Sequence, residues 1–182
     1  PGKNEANAKH RKGELQAIMD TLEPKLATGG LGFENIIISG DFNFYPEIDD
    51  EAIELLGSYG FEQVDQIKDA DTTLAKNNYT YDRMFIKRDR NFEMVKDEAG
   101  HESAGVVEFK SLFENDVSTY RTVATEDYQK RNPNKMFQNE AAYANYYWVH
   151  WLSRQMSDHY PIWIEINSDS SIHYLESKLS HL

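Results

Sequence analysis

Five polar residues in three short segments could carry chemistry. Asp41 and Asn43 stand in Ser39-Gly40-Asp41-Phe42-Asn43, directly after the β-branched run Ile36-Ile37-Ile38. A carboxylate there can hold a metal ion or polarise water, and the amide two positions on can donate to a phosphate oxygen. Gly, Asp and Asn also populate ordinary turns at strand ends, so this segment alone does not decide the matter. Asp82 lies in Tyr81-Asp82-Arg83, within a run that reads as a strand. A carboxylate in an apolar strand needs a partner, because an unpaired buried charge is costly. Arg83 faces the other way under strand alternation, which makes a histidine elsewhere the natural candidate. Asp158 and His159 stand in Met156-Ser157-Asp158-His159-Tyr160-Pro161, at the entry to the last strand. Being adjacent, their side chains diverge. Asp158 can face a metal, while His159 takes a proton or contacts phosphate with a carboxylate orienting it.

The elements that must position these groups are readable in outline. Leu15, Ile18, Met19, Leu22 and Leu26 recur at helical spacing and predict an amphipathic helix over 5–27, closed by Gly29-Gly30. Residues 35–39 predict a buried strand, and 40–46 a loop. Asp49, Asp50 and Glu51 place acids at the start of a helix over 50–58. Strands are expected at 61–64, 79–86 and 160–166, with Pro161 tolerated at the strand's start. Residues 138–153 predict a helix rich in Tyr and Trp whose rings form core. Residues 97–135 give no clear periodicity, and Ile172, Leu175 and Leu179 form a helical stripe in the tail (167–182). Helices alternating with strands indicate an α/β fold.

Composition bounds the function. A net charge of −12 with 40% hydrophobic residues describes a globular acidic chain without a broad basic face. A polyanion would have to be held locally, by a few Lys and Arg and by divalent metal. Cysteine is absent, which excludes disulfides and thiolate zinc sites and is compatible with a reducing cytosol, with secretion left open. No segment has the length and apolarity of a membrane span.

Taken together, Gly-Asp-Phe-Asn, Tyr-Asp-Arg and Ser-Asp-His-Tyr-Pro, in that order, resemble the endonuclease/exonuclease/phosphatase superfamily, and within it deoxyribonuclease I. The likeness extends to Asp71-Thr72-Thr73, eleven residues before Asp82, and to Phe137-Gln138 with Ala141-Ala142-Tyr143. It runs loosely over 5–166 and is specific only at the motifs. The resemblance implies a four-layer sandwich of which this chain is the C-terminal half to two-thirds, with the N-terminal half supplied by the same gene product or by a separate chain. It implies a nuclease dependent on Mg²⁺ or Mn²⁺. Asp41 would activate water or hold metal, Asn43 would bind the scissile phosphate, Asp158 would position the metal, and His159 would be held by Asp82. Asp71 and Thr73 match part of a calcium loop, although Ala75 and Asn77 replace the threonines expected next. It also implies that 97–135 is an insertion. There Arg121, Lys130, Arg131 and Lys135, interleaved with Tyr120, Tyr128 and Phe137, could line a nucleic-acid groove or simply be solvated. A phosphoesterase acting on lipid or inositol phosphates and a non-catalytic binding module remain alternatives.

Overall fold

A computed structural model of the chain describes residues 3–27, 35–45, 48–74, 80–88, 92–167, 175–176 and 179. It is a mixture of helix and sheet divided into two compact units. One comprises 1–70, 80–105 and 162–182, and the other 71–79 and 106–161.

The first unit is built on a three-stranded antiparallel sheet in the order β1 (Ile36–Asp41), β3 (Asp82–Lys87), β2 (Glu62–Gln63). Register places Ile38 opposite Phe85, Ser39 opposite Met84 and Asp41 opposite Asp82. On one face Ile36, Ile38 and Phe85 pack with Leu15 and Met19 of helix α1 (Glu5–Ala27) and with Ala52 and Leu56 of α2 (Asp50–Ser58). On the other, Met84 and Ile86 pack with Val64, Ile67, Met94, Ile162 and Ile164. Ile67 belongs to the short helix α3 (Asp65–Lys68). β3 is therefore buried from Arg83 to Ile86 and does not alternate as the sequence suggests, because it is the central strand with both faces covered. β1 behaves differently: its residues alternate between half-buried and exposed up to Ile38 and are exposed from Ser39, so it is an edge strand and not the buried one expected.

Several other expectations need correcting. β1 runs on through Gly40 and Asp41, where a loop is predicted, because pairing with β3 continues to the Asp41–Asp82 position. The last strand is shorter than predicted. β5 (Ile162–Ile164) pairs with β4 (Ala104–Val106) in a separate two-stranded sheet and does not join β1 and β3. Ile18 of the α1 stripe is exposed, and the side chain of Leu26 lies outside the described residues. In the tail, Leu175, Glu176 and Leu179 are helical and exposed, and Ile172 lies outside the described residues.

The second unit is helical. After a 3-10 helix (Phe109–Asp116) come α4 (Arg121–Arg131), α5 (Glu140–Tyr146), a π turn (Tyr147–Trp151) and α6 (Leu152–Gln155). Its core is the predicted aromatic helix packed on these elements: Tyr143, Tyr146, Tyr147, Trp151 and Leu152 with Phe109, Ala124 and Tyr160. Asn139 caps α5, its side chain accepting the Ala142 N–H at 2.9 Å. The span 97–135, unreadable in the sequence, thus contains β4, the 3-10 helix and α4, and contributes Phe109 and Ala124 to the core.

Candidate functional site

In the first unit, register brings two of the candidate carboxylates together. The Phe42 N–H donates to the Tyr81 carbonyl at 2.9 Å, extending the β1–β3 ladder one residue beyond the strands. That makes Phe42 and Tyr81 a hydrogen-bonded pair and Asp41 and Asp82 the neighbouring non-hydrogen-bonded pair. Side chains approach most closely in such pairs, with Cα atoms about 4.5 Å apart. Asp41 is exposed and Asp82 half-buried. Like charges placed opposite one another in a sheet repel, and both carboxylates lie at the same end of the β1–β3 ladder.

Asn43 follows on a left-handed backbone, φ 51°, a conformation that Asn tolerates better than most residues. Its N–H donates to Asp41 Oδ1 at 2.9 Å, closing an Asx turn that ends β1. The turn is anchored on both sides. Phe42 and Phe44 sit 5.1 Å apart, and both pack edge-on to Phe85. The Tyr45 N–H donates to Asp49 Oδ2 at 2.8 Å. Asp49 in turn accepts two hydrogen bonds from Arg11 of α1, at 2.8 and 2.6 Å. Both partners are buried, Arg11 at 5% and Asp49 at 1% exposure. Asp49 occupies the N-cap of α2 yet makes no side-chain cap, because its carboxylate is turned to Arg11 and Tyr45. Sequence reasoning missed this pair, whose members lie 38 residues apart with no local pattern to join them.

The other candidates lie in the second unit. Asp158 and His159 run antiparallel to Thr72–Leu74: the Leu74 N–H donates to the Asp158 carbonyl at 2.9 Å and the Tyr160 N–H to the Thr72 carbonyl at 2.8 Å. Thr73 and His159 are therefore a non-hydrogen-bonded pair facing the same way, and Asp158 points to the opposite face. The His159 N–H donates to Ser157 Oγ at 3.0 Å, and the Thr73 N–H to Asp71 Oδ1 at 3.4 Å. Thr73 Oγ1 is buried and has no hydrogen-bond partner among the described residues. Ala75 and Asn77 lie outside the described residues.

Among the described residues, no three His, Asp or Glu side chains form a group arranged to hold a metal ion. The Asp41–Asp82 pair offers two hard oxygen donors on one strand end. That set suits Mg²⁺, which keeps several waters and is commonly bound through one or two carboxylates plus substrate phosphates. Among the described residues no helix is long and apolar enough to cross a membrane. No protein-family model matches the chain, and neither a curated protein nor a solved structure matches it.

Proposed function

We propose that the chain carries the second part of a divalent-metal-dependent phosphodiesterase of the endonuclease/exonuclease/phosphatase type, acting on DNA. The observation that supports this best is the register of β1 and β3. It sets Asp41 directly opposite Asp82 at one strand end, with Asn43 turned by its hydrogen bond to Asp41. Two neighbouring carboxylates at one end of a ladder offer hard oxygen donors to a divalent cation.

In this reading Asp41 holds the metal or orients the attacking water, and Asn43 donates to a non-bridging phosphate oxygen. When bound, Mg²⁺ or Mn²⁺ neutralises charge on the phosphate and lowers the pKa of water. Asp158 helps position the metal and its waters. His159 would move the proton or steady the charge that builds on phosphorus during in-line displacement. The same reading implies the four-layer sandwich, with β1–β3–β2 in one central layer. The exposed β1 flank, with Ile37 at 40% exposure, is the surface a second sheet would cover.

Protein expressed from its complete reading frame is expected to nick plasmid DNA with Mg²⁺ or Mn²⁺ and to stop in excess chelator. Undiminished cleavage in chelator would overturn the metal mechanism. Hydrolysis of a phosphoinositide with DNA left intact would transfer the site to lipid phosphates.

A further inference from the structure

A second polar cluster, remote in sequence from Asp41 and Asp82, is built on the helices of the second unit. Tyr146, His150 and Arg154 repeat every fourth residue along the helical stretch from α5 to α6. In a regular α-helix such a row drifts by about 40° at each step. The π turn Tyr147–Trp151 holds an extra residue and offsets that drift, so the three side chains stay on one wall. Tyr146 and His150 rings lie 5.8 Å apart, and the Arg154 guanidinium sits 5.5 Å from the Tyr146 ring centre. The facing wall comes from the end of α4 and the loop after it, including Arg131 and Lys135. Between the walls is a cavity of about 630 Å³.

Its lining is unusual for this chain. The molecule holds 31 Asp and Glu against 19 Lys and Arg, yet Arg131, Lys135 and Arg154 line the cavity and no described carboxylate does. Asp127 fixes the two arginines from beneath. Its carboxylate accepts from Tyr146 Oη at 2.6 Å and from Arg131 Nε at 3.1 Å, and it also accepts from Arg154. The Tyr146 hydroxyl foremost, then Arg154 and Arg131, hold its pKa down at about 2. The guanidinium groups are thus positioned before any ligand arrives. Apolar surface lies alongside: Tyr128 and Phe137 rings are 4.1 Å apart and half-buried, and Met136 is 75% exposed. Asn132, Asn145 and Gln138 add amide groups able both to donate and to accept.

Fixed cations, aromatic and thioether surface, and amides in one open cavity match the chemistry of a flexible strand with phosphates and planar bases. We propose that this cavity binds single-stranded nucleic acid, with Arg131, Lys135 and Arg154 on the phosphates and bases packed against Phe137 and Met136. Duplex DNA fits it less well, because its bases are stacked inward and cannot reach the aromatic wall. The inference goes beyond the phosphodiesterase reading, because it concerns a separate binding site on the second unit. It is tested in chelator, so that a failure of binding and a failure of cleavage are read separately.

The measurement is fluorescence anisotropy of a labelled oligothymidylate with the whole protein in EDTA, from about 50 to 200 mM salt. Lys135→Glu and Arg131→Gln are each expected to weaken binding about tenfold or more. Removing both cations should lower the slope of log affinity against log salt by about 1.4, at about 0.7 per phosphate contact on a single strand. Both positions are exposed, and unchanged near-ultraviolet circular dichroism verifies that the aromatic core is intact. An abasic strand of equal charge and a duplex of equal length should both bind at least tenfold more weakly. Unchanged affinity in the two variants, or equal binding of the abasic strand or the duplex, would overturn the proposal.

Discussion

In the first unit the candidate carboxylates Asp41 and Asp82 are set by strand register, whereas in the second Tyr146, His150 and Arg154 are set by helical spacing. The supports differ in the same way. Asn43 and the turn after β1 are tied through Tyr45 to Asp49 and hence to the buried Arg11, so a polar contact between distant segments holds that site. The cavity of the second unit rests on an aromatic core, with Tyr147 and Trp151 stacked at 5.3 Å and Tyr143 Oη donating to the Val117 carbonyl at 2.5 Å. The first arrangement should fail abruptly when one partner is removed. The second should tolerate single polar changes, because its geometry derives from packing.

The sharpest test of the contrast is kinetic. In the proposed hydrolase, Asp82→Ala and His159→Ala should each lower the cleavage rate on the order of 10³-fold or more. The double variant should be scarcely slower than either, because residues acting as one unit are not additive. Additive losses would mean that the two residues act separately. Next in size is stability. Asp49→Ala leaves Arg11 buried without its counter-ion and should cost about 3–5 kcal/mol, while the apolar pair Arg11→Met with Asp49→Leu should regain most of it. Urea unfolding followed by circular dichroism measures both, and a loss below about 1 kcal/mol would show that the turn does not depend on the pair.

Smaller effects are expected in the second unit. Tyr147 Oη is buried with no hydrogen-bond partner among the described residues, and burial above all pushes its pKa up to about 12. Tyr147→Phe should therefore be neutral or stabilising by about 1 kcal/mol, and a clear destabilisation would reveal a hidden partner. The smallest effect concerns acid. The folded-state pKa of Asp127 lies near 2, below its ordinary 3.8, so its contribution to stability is complete above about pH 4 and is lost as pH falls toward 2. Asp127→Asn should flatten the stability profile in that window, which thermal unfolding at stepped pH would show.

The elements legible in the sequence were those whose pattern is local. Leu15 and Met19 mark α1 at helical spacing, and both are core. The acids at 50 and 51 mark α2, and the Tyr and Trp run marks the buried helix of the second unit. What escaped was relational. Nothing near Arg11 announces Asp49, and the exposure of β1 depends on its lying at the sheet's edge. The 3-10 helix and α4 were hidden because each offers the core few residues, Phe109 in one and Ala124 in the other. The cavity was half visible. Arg131, Lys135, Tyr128 and Phe137 could be picked out by composition, while His150 and Arg154 belong to no motif in the sequence. The four-residue step from Tyr146 through His150 to Arg154 was the signal available.

Both units are discontinuous in the chain, and this fixes the order in which they can be completed as the polypeptide leaves the ribosome. Residues 71–79 emerge early and must wait for 157–160 before Thr72 and Leu74 find their ladder partners. β4 likewise waits for β5, whose residues follow 56 positions after Val106. Until about residue 164 has been made, Met84, Ile86 and Leu74 lack part of their cover. A nascent chain stalled near residue 150 should therefore be sensitive to protease around Leu74 and β4, and one released only fifteen residues later should gain protection at both.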